Sequence, residues 1–109
     1  MTTTVEYIRY RVASQDQQAF EDAYARAADA LAASPECIDY ELAHSAEEAE
    51  NYILRIRWTS IDAHLNGFRK GEHFPPFFAA IRPYVANIEE MKHYLVTSVV
   101  GPGKAAGTS

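Results

Sequence analysis

The chain is short of most features that announce a function. One cysteine, Cys37, stands among 109 residues, so no internal disulfide can form. The ten lysines and arginines are scattered and the net charge is −5. Nucleic-acid binding needs a basic stripe, so no nucleic-acid partner is expected. No apolar run approaches the ~20 residues that span a bilayer. The start, MTTTVEYIRYRV, lacks the charged and apolar regions of a signal peptide. The expected place is therefore the cytoplasm, without a membrane partner. No glycine-rich phosphate loop precedes a helix, and no Gly-x-Ser-x-Gly elbow marks a serine hydrolase. The four histidines, at 44, 64, 73 and 93, include no pair at i and i+4, so no metal is expected.

What is present reads as a single α+β domain over residues 1–100, followed by a small, flexible tail, GPGKAAGTS, over 101–109. Thr4 to Val12 is rich in β-branched and aromatic residues and predicts a strand. Ser14-Gln15-Asp16-Gln17 has the form of a capping box opening a helix to about Ala33. That helix carries Phe20, Tyr24, Ala27, Ala28 and Leu31 on one stripe. Cys37 to Ala43 and Asn51 to Thr59 predict a hairpin. Thr59 or Ser60 caps a second helix with Ile61, His64, Leu65 and Phe68 inward. Pro75 and Pro76 begin a short third helix, and Ile88 to Val99 predicts the last strand. This order is the split βαβ pattern of the ferredoxin-like fold, a four-stranded antiparallel sheet with helices on one face. The other face would expose Val5, Tyr7 and Ile53, with either Tyr94 and Val96 or Met91 and Leu95. A patch of that kind marks an interface, so a homodimer packed sheet to sheet is expected.

The stretch NYILRIRWTS places Tyr52, Leu54, Ile56 and Trp58 on one face. Tyrosine and tryptophan bring a polar group that needs a partner, so their inward position raises the choice between a satisfied core and a pocket wall. Tyr10, Tyr40, His44 and His64 are expected on the same side of the sheet, and this many Tyr, His and Trp residues favour an apolar cavity with a few polar groups. Tyr10, Tyr40, Tyr52, Trp58, Phe68 and His93 are the candidate substrate-binding residues. His44 and His64 are the candidate bases, histidine having the unperturbed pKa that suits proton transfer near neutrality. Parity puts His44 on the face of Trp58. The facing of His93 is ambiguous, and His73 reads as a loop residue.

The segments IDYEL, NYILRIRWTSIDAHLNGFRKGEHF and IEEMKHY resemble the antibiotic biosynthesis monooxygenase domain family, over Val5 to about Val99. The resemblance implies a ferredoxin-like unit that dimerises through its sheets into a dimeric α+β barrel. Some members oxygenate aromatic polyketides or quinols with O2 and without flavin, haem or metal; others degrade haem. In the polyketide-oxygenating members a His and a Trp at similar places line the pocket, which makes His44 and Trp58 the leading pair. Haem-degrading relatives carry an iron-binding His on the helical segment after the second helix. Here that segment, FPPFFAAI, holds none, although His73 stands at its border. The implied function is a cofactor-independent monooxygenase of a phenolic, quinol or polyketide-type aromatic. The alternatives are a non-catalytic small-ligand module or a haem-binding relative.

Overall fold

The computed structural model describes residues 2–107. Two central strands set its plan, because both alternate buried and accessible residues along their length. β1 (Thr4–Arg11) turns Thr4, Glu6, Ile8 and Tyr10 inward, and the antiparallel β3 (Asn51–Trp58) adds Tyr52, Leu54, Ile56 and Trp58. β2 (Cys37–His44) pairs with the free side of β3, and β4 (Ile88–Leu95) with the free side of β1. The sheet order is β2-β3-β1-β4, all neighbours antiparallel. Helices α1 (Gln17–Ala33) and α2 (Phe74–Ile81) contribute buried side chains to the same core. This is the ferredoxin-like α+β fold.

Local chemistry sets the boundaries, not always as the sequence suggests. Ser14 makes no capping bond; Ser14–Asp16 forms a 3-10 turn instead. Gln17 uses its side-chain amide to bind the carbonyls of Val12 and Ala49, at 3.0 and 2.7 Å, tying the end of β1 to the β2–β3 loop. Ser60 does act as a cap, its Oγ accepting from the Ala63 amide at 2.9 Å. Pro75 and Pro76 occupy the first turn of α2, where no N–H is needed. β4 ends at Leu95, four residues before Val99. Of the tail, Lys104–Gly107 forms a 3-10 turn, and residues 108–109 lie outside the described residues.

The last strand's facing is settled by its register. Glu6 pairs with His93 and Ile8 with Met91, so His93 and Met91 share the inner face, while Tyr94, opposite Val5, points outward. Phe20 of α1 centres the aromatic core, its ring 4.9 Å from those of Tyr10 and Tyr52 and 5.2–5.3 Å from those of Tyr84 and Tyr24. Four such neighbours cannot all close over a gap. Phe20→Ala should therefore cost about 3–5 kcal/mol, read as a lower urea midpoint; a loss below about 1 kcal/mol would show that the core collapses onto the space.

Candidate active site

The site begins with an acid on an inward position. Glu6 has the parity of Ile8 and Tyr10, so the strand that buries those residues buries its carboxyl too, at 2% exposure. A desolvated carboxylate needs donors. Trp58 Nε1 donates to Glu6 Oε1 at 3.1 Å, and His64 Nε2 lies 3.5 Å from the same oxygen. Burial pushes the Glu6 carboxyl up to about 7, against smaller downward pulls from the Trp58 hydrogen bond and the Arg69 charge.

His64 comes from a helix that is not an ordinary α-helix. Ala63–Phe68 is a π-helical turn, with the Arg69 amide bonded to the His64 carbonyl at 3.0 Å. His64 and Phe68, four residues apart, lie on its one buried side, while Leu65 within the turn and Ile61 before it are exposed. The expected four-residue apolar stripe is thus halved. Gly67 lets the turn lie against the Glu36 side chain just before β2, since a Cβ there would meet Glu36 Cγ at 2.9 Å. The His64 ring stacks on Trp58 with centroids 4.5 Å apart, and its Nδ1 lies 2.8 Å from His93 Nε2. Burial, the neighbouring His93 and the Arg69 charge push His64 down to about 3, so it is a neutral imidazole. Burial and Arg69 also lower His93, which is half-buried. The result is a line of groups: Trp58, Glu6, His64, His93.

Trp58, Glu6 and His64 line one end of a cavity of about 180 Å³ between the sheet and the helices. Its wall is otherwise mainly apolar, with Ile8, Ile56, Phe68, Phe77 and Ile81 among the contributors. Tyr10 and Tyr24 also line it, and their hydroxyls are hydrogen-bonded to one another. Arg69 stands exposed at the rim, its guanidinium 5.8 Å from the Phe74 ring centre, with no ion pair found among the described residues.

Of the residues singled out in the sequence, Tyr10, Trp58, His64 and Phe68 meet at this cavity, and His93 joins through His64. His44, Tyr40 and Tyr52 do not. His44 pairs with Tyr52 and Trp58 with Cys37, so the antiparallel hairpin places His44 and Trp58 at opposite ends, about 20 Å apart at ~3.3 Å per residue. Shared parity gave them one face but could not give them one end. His44 stacks on the Tyr52 ring at 4.2 Å, and its Nε2 lies 2.7 Å from the Ala49 carbonyl. Tyr52 gives its hydroxyl hydrogen to Glu21 at 2.5 Å, making it a satisfied core residue. Tyr40 is 37% exposed on a separate groove between α1 and β2. Glu6 was missed, because an acid in a strand reads as a solvent-facing residue; its parity with Ile8 and Tyr10 was the available signal.

The sequence pattern of the antibiotic biosynthesis monooxygenase family matches residues 3–80. The chain belongs to that family. The uncharacterised protein YczJ of Bacillus subtilis (strain 168) is 26% identical over 78 residues, 72% of this chain and 82% of that protein. Among solved structures, one from Chloroflexus aurantiacus, provisionally described as an antibiotic biosynthesis monooxygenase, superposes with a TM-score of 0.72 at 17% identity, covering 94% of this chain and all of that one. SnoaB, a cofactor-independent oxygenase from Streptomyces nogalater, gives 0.67 at 22% identity over 93% and 97% of the two chains. At these identities the structural likeness speaks for the fold. Among the described residues, no helix of this family member is long and apolar enough to cross a membrane.

In this antibiotic biosynthesis monooxygenase domain Glu6, His64 and His93 also offer three ligand atoms within 4.8 Å of one another, a cluster that spacing along the chain does not reveal because each comes from a different element. The donor types suit a divalent transition ion. Their arrangement suits it less well, because His64 turns opposite ring nitrogens to Glu6 and His93, whereas an ion needs three donors converging on one point.

The raised Glu6 pKa has a defined consequence for stability. The unfolded carboxyl titrates near 4.5 and the folded one near 7, so between those values the folded state holds a proton that the unfolded state releases. Stability is therefore lost as pH rises through that window, by about 3 kcal/mol once above it. Glu6→Gln should be more stable than the parent at pH 8, with the difference vanishing near pH 4.5, as thermal unfolding at both pH values would show. A variant less stable at pH 8 would mean that the carboxylate is a net stabilising acceptor.

Proposed function

We propose that the domain oxygenates a small phenolic or quinol aromatic with O2, the substrate itself supplying the electrons, so that no flavin, haem or metal is required. The observation that carries this reading is the Glu6 carboxyl, titrating near 7 in the wall of an apolar cavity and joined through His64 to His93. A general base works best when its pKa lies near the operating pH. Here that base is Glu6, and the neutral His64 is its partner. SnoaB, named as a cofactor-independent oxygenase, supports the reaction class through a shared fold.

Ionised Glu6 takes the phenolic proton, and the electron-rich anion passes one electron to O2. The substrate radical and superoxide combine through a new C–O bond, and the peroxide loses water to leave a quinone carbonyl. For a quinol the sum is quinol plus O2 giving hydroxyquinone plus water: one oxygen atom enters the product and four electrons leave the substrate. The proton on Glu6 moves to His64 Nε2 while the Nδ1 proton passes to His93 Nε2. A concerted shift of this kind forms no imidazolium on His64, which burial disfavours. His93, only partly buried, completes the route outward.

Oxygen uptake with a panel of phenols and quinols tests the reading. Turnover should rise with pH through about 7, as Glu6 ionises. Glu6→Gln should lower it by roughly 10²–10⁴-fold, the usual worth of a placed general base, and His44→Ala should leave it near the parent value. Full activity in Glu6→Gln would remove the base. Tight binding across the panel without oxygen uptake would make this a ligand-binding module.

The assembly that goes with this reading is a homodimer joined sheet to sheet, in the cytoplasm. On the outer face Tyr7 and Tyr94 are 36% and 51% exposed, their rings in edge-to-face contact at 5.5 Å, beside Val5 and Ile53. Arg9 Nε is buried on this face without a hydrogen-bond partner among the described residues, so a covering surface could supply its acceptor. Glu41 and Asp39 pair with Arg55 and Arg57, at 3.0–3.5 Å, which favours register over stability. Light scattering should give twice the monomer mass at micromolar concentration, and Tyr94→Arg should halve it; a folded parent monomer would sink the dimer.

A further inference from the structure

Tyr10 and Tyr24 close the cavity away from Glu6, and their arithmetic is incomplete. Two phenolic hydroxyls carry two hydrogens. Their mutual bond spends one, and neither hydroxyl has another partner among the described residues. One hydroxyl hydrogen is left over in a wall where Tyr10 is 0% and Tyr24 4% exposed, and an unmet polar group is costly in such a place. Burial, foremost, raises both phenols, Tyr10 to about 12, so the pair stays neutral and able to donate.

The spacing of the two polar ends limits what can lie between them. Glu6 and Tyr10 are four residues apart on one face of β1, so their backbones lie about 13 Å apart at ~3.3 Å per residue, and both side chains reach from there into the one cavity. A ring with oxygens at its 1 and 4 positions, plus a hydrogen bond of ~2.7 Å at each, reaches about 11 Å. The cavity of about 180 Å³ is little larger than the roughly 150 Å³ that holds a benzene, so it takes one ring or two fused rings.

We propose that the Tyr10–Tyr24 hydroxyl pair is a second polar subsite, and that the cavity selects a one- or two-ring aromatic with oxygens at both ends over monophenols and three- or four-ring polyketides. The inference rests on the cavity being the substrate site, as in the reading above, and adds the end of the ligand that does not react.

Anaerobic binding tests it without requiring turnover. Trp58 is the single tryptophan and lies in the cavity wall, so its fluorescence reports occupancy. The parent protein should bind naphthalene-1,4-diol roughly 2–10-fold more tightly than 1-naphthol, the worth of one net hydrogen bond, and should bind a three-ring anthrone more weakly than either. Replacing both, Tyr10→Phe with Tyr24→Phe, leaves no hydroxyl at that end, and the double variant should bind the diol only as well as 1-naphthol while keeping the parent's affinity for 1-naphthol, which also shows that the fold survives. Equal affinities in the parent, a diol preference persisting in the double variant, or an anthrone bound as tightly as the diol would overturn the proposal. Diol preference without oxygen uptake in air would leave the subsite standing and remove the oxygenase reading. Uptake without preference would do the reverse.

Discussion

Glu6 faces inward from the middle of the sheet, and its neighbours are arranged around the cost of keeping a carboxyl out of water. Trp58 brings its indole N–H from the end of β3, and His64 brings an imidazole from the turn that follows. An ordinary α-helical turn would place His64 and Leu65 in shared positions on the apolar stripe. The π-turn gives the inward side to His64 and Phe68 alone. Even Gly67 belongs to this arrangement, since its missing side chain lets the turn approach Glu36. The strand end and the turn meet at this acid, and the edge strand joins them through His93.

The topology was legible because it rests on periodicity. β1, β3, α1 and the proline-led α2 announce themselves by alternation, by an alanine-rich stripe and by prolines that suit the first turn of a helix. The site was legible in part. Tyr10, Trp58 and Phe68 are large and aromatic, and a sheet buries such residues wherever parity allows. Glu6 was hidden by the same reasoning, since hydropathy assigns an acid to solvent and only its parity says otherwise. The expected pairing of His44 with Trp58 is not found for another reason: parity fixes a face, whereas position along an antiparallel pair fixes an end, and the two must be read together. The π-turn had no signature in spacing, because the α-helical period also accounts for His64 and Phe68.

Division of labour between the two faces follows from alternation along β1. Glu6, Ile8 and Tyr10 serve the cavity, while Val5, Tyr7 and Arg9 serve the outer face. The line from Trp58 to His93 faces inward, on the side of the sheet opposite to the face proposed for a partner. Assembly and chemistry can then vary independently, one by outward residues and the other by inward ones, at the same strand.

The irregularity in β4 shows how narrowly this depends on register. His93 and Met91 face inward opposite Glu6 and Ile8, and strict alternation would bring Glu89 next, opposite Tyr10. The pairing shifts between Arg9 and Tyr10, so Ile88 takes that place and lines the cavity. Glu89 is displaced to the surface, where its carboxylate pairs with Arg11 at 2.9 Å. Without the bulge a second carboxyl would share the cavity with Glu6, and mutual repulsion would raise both pKa values further. Glu6 would then hold its proton to higher pH, against the role of base proposed for it. One extra residue in an edge strand thus keeps the cavity to a single acid, poised near the pH at which it can exchange its proton.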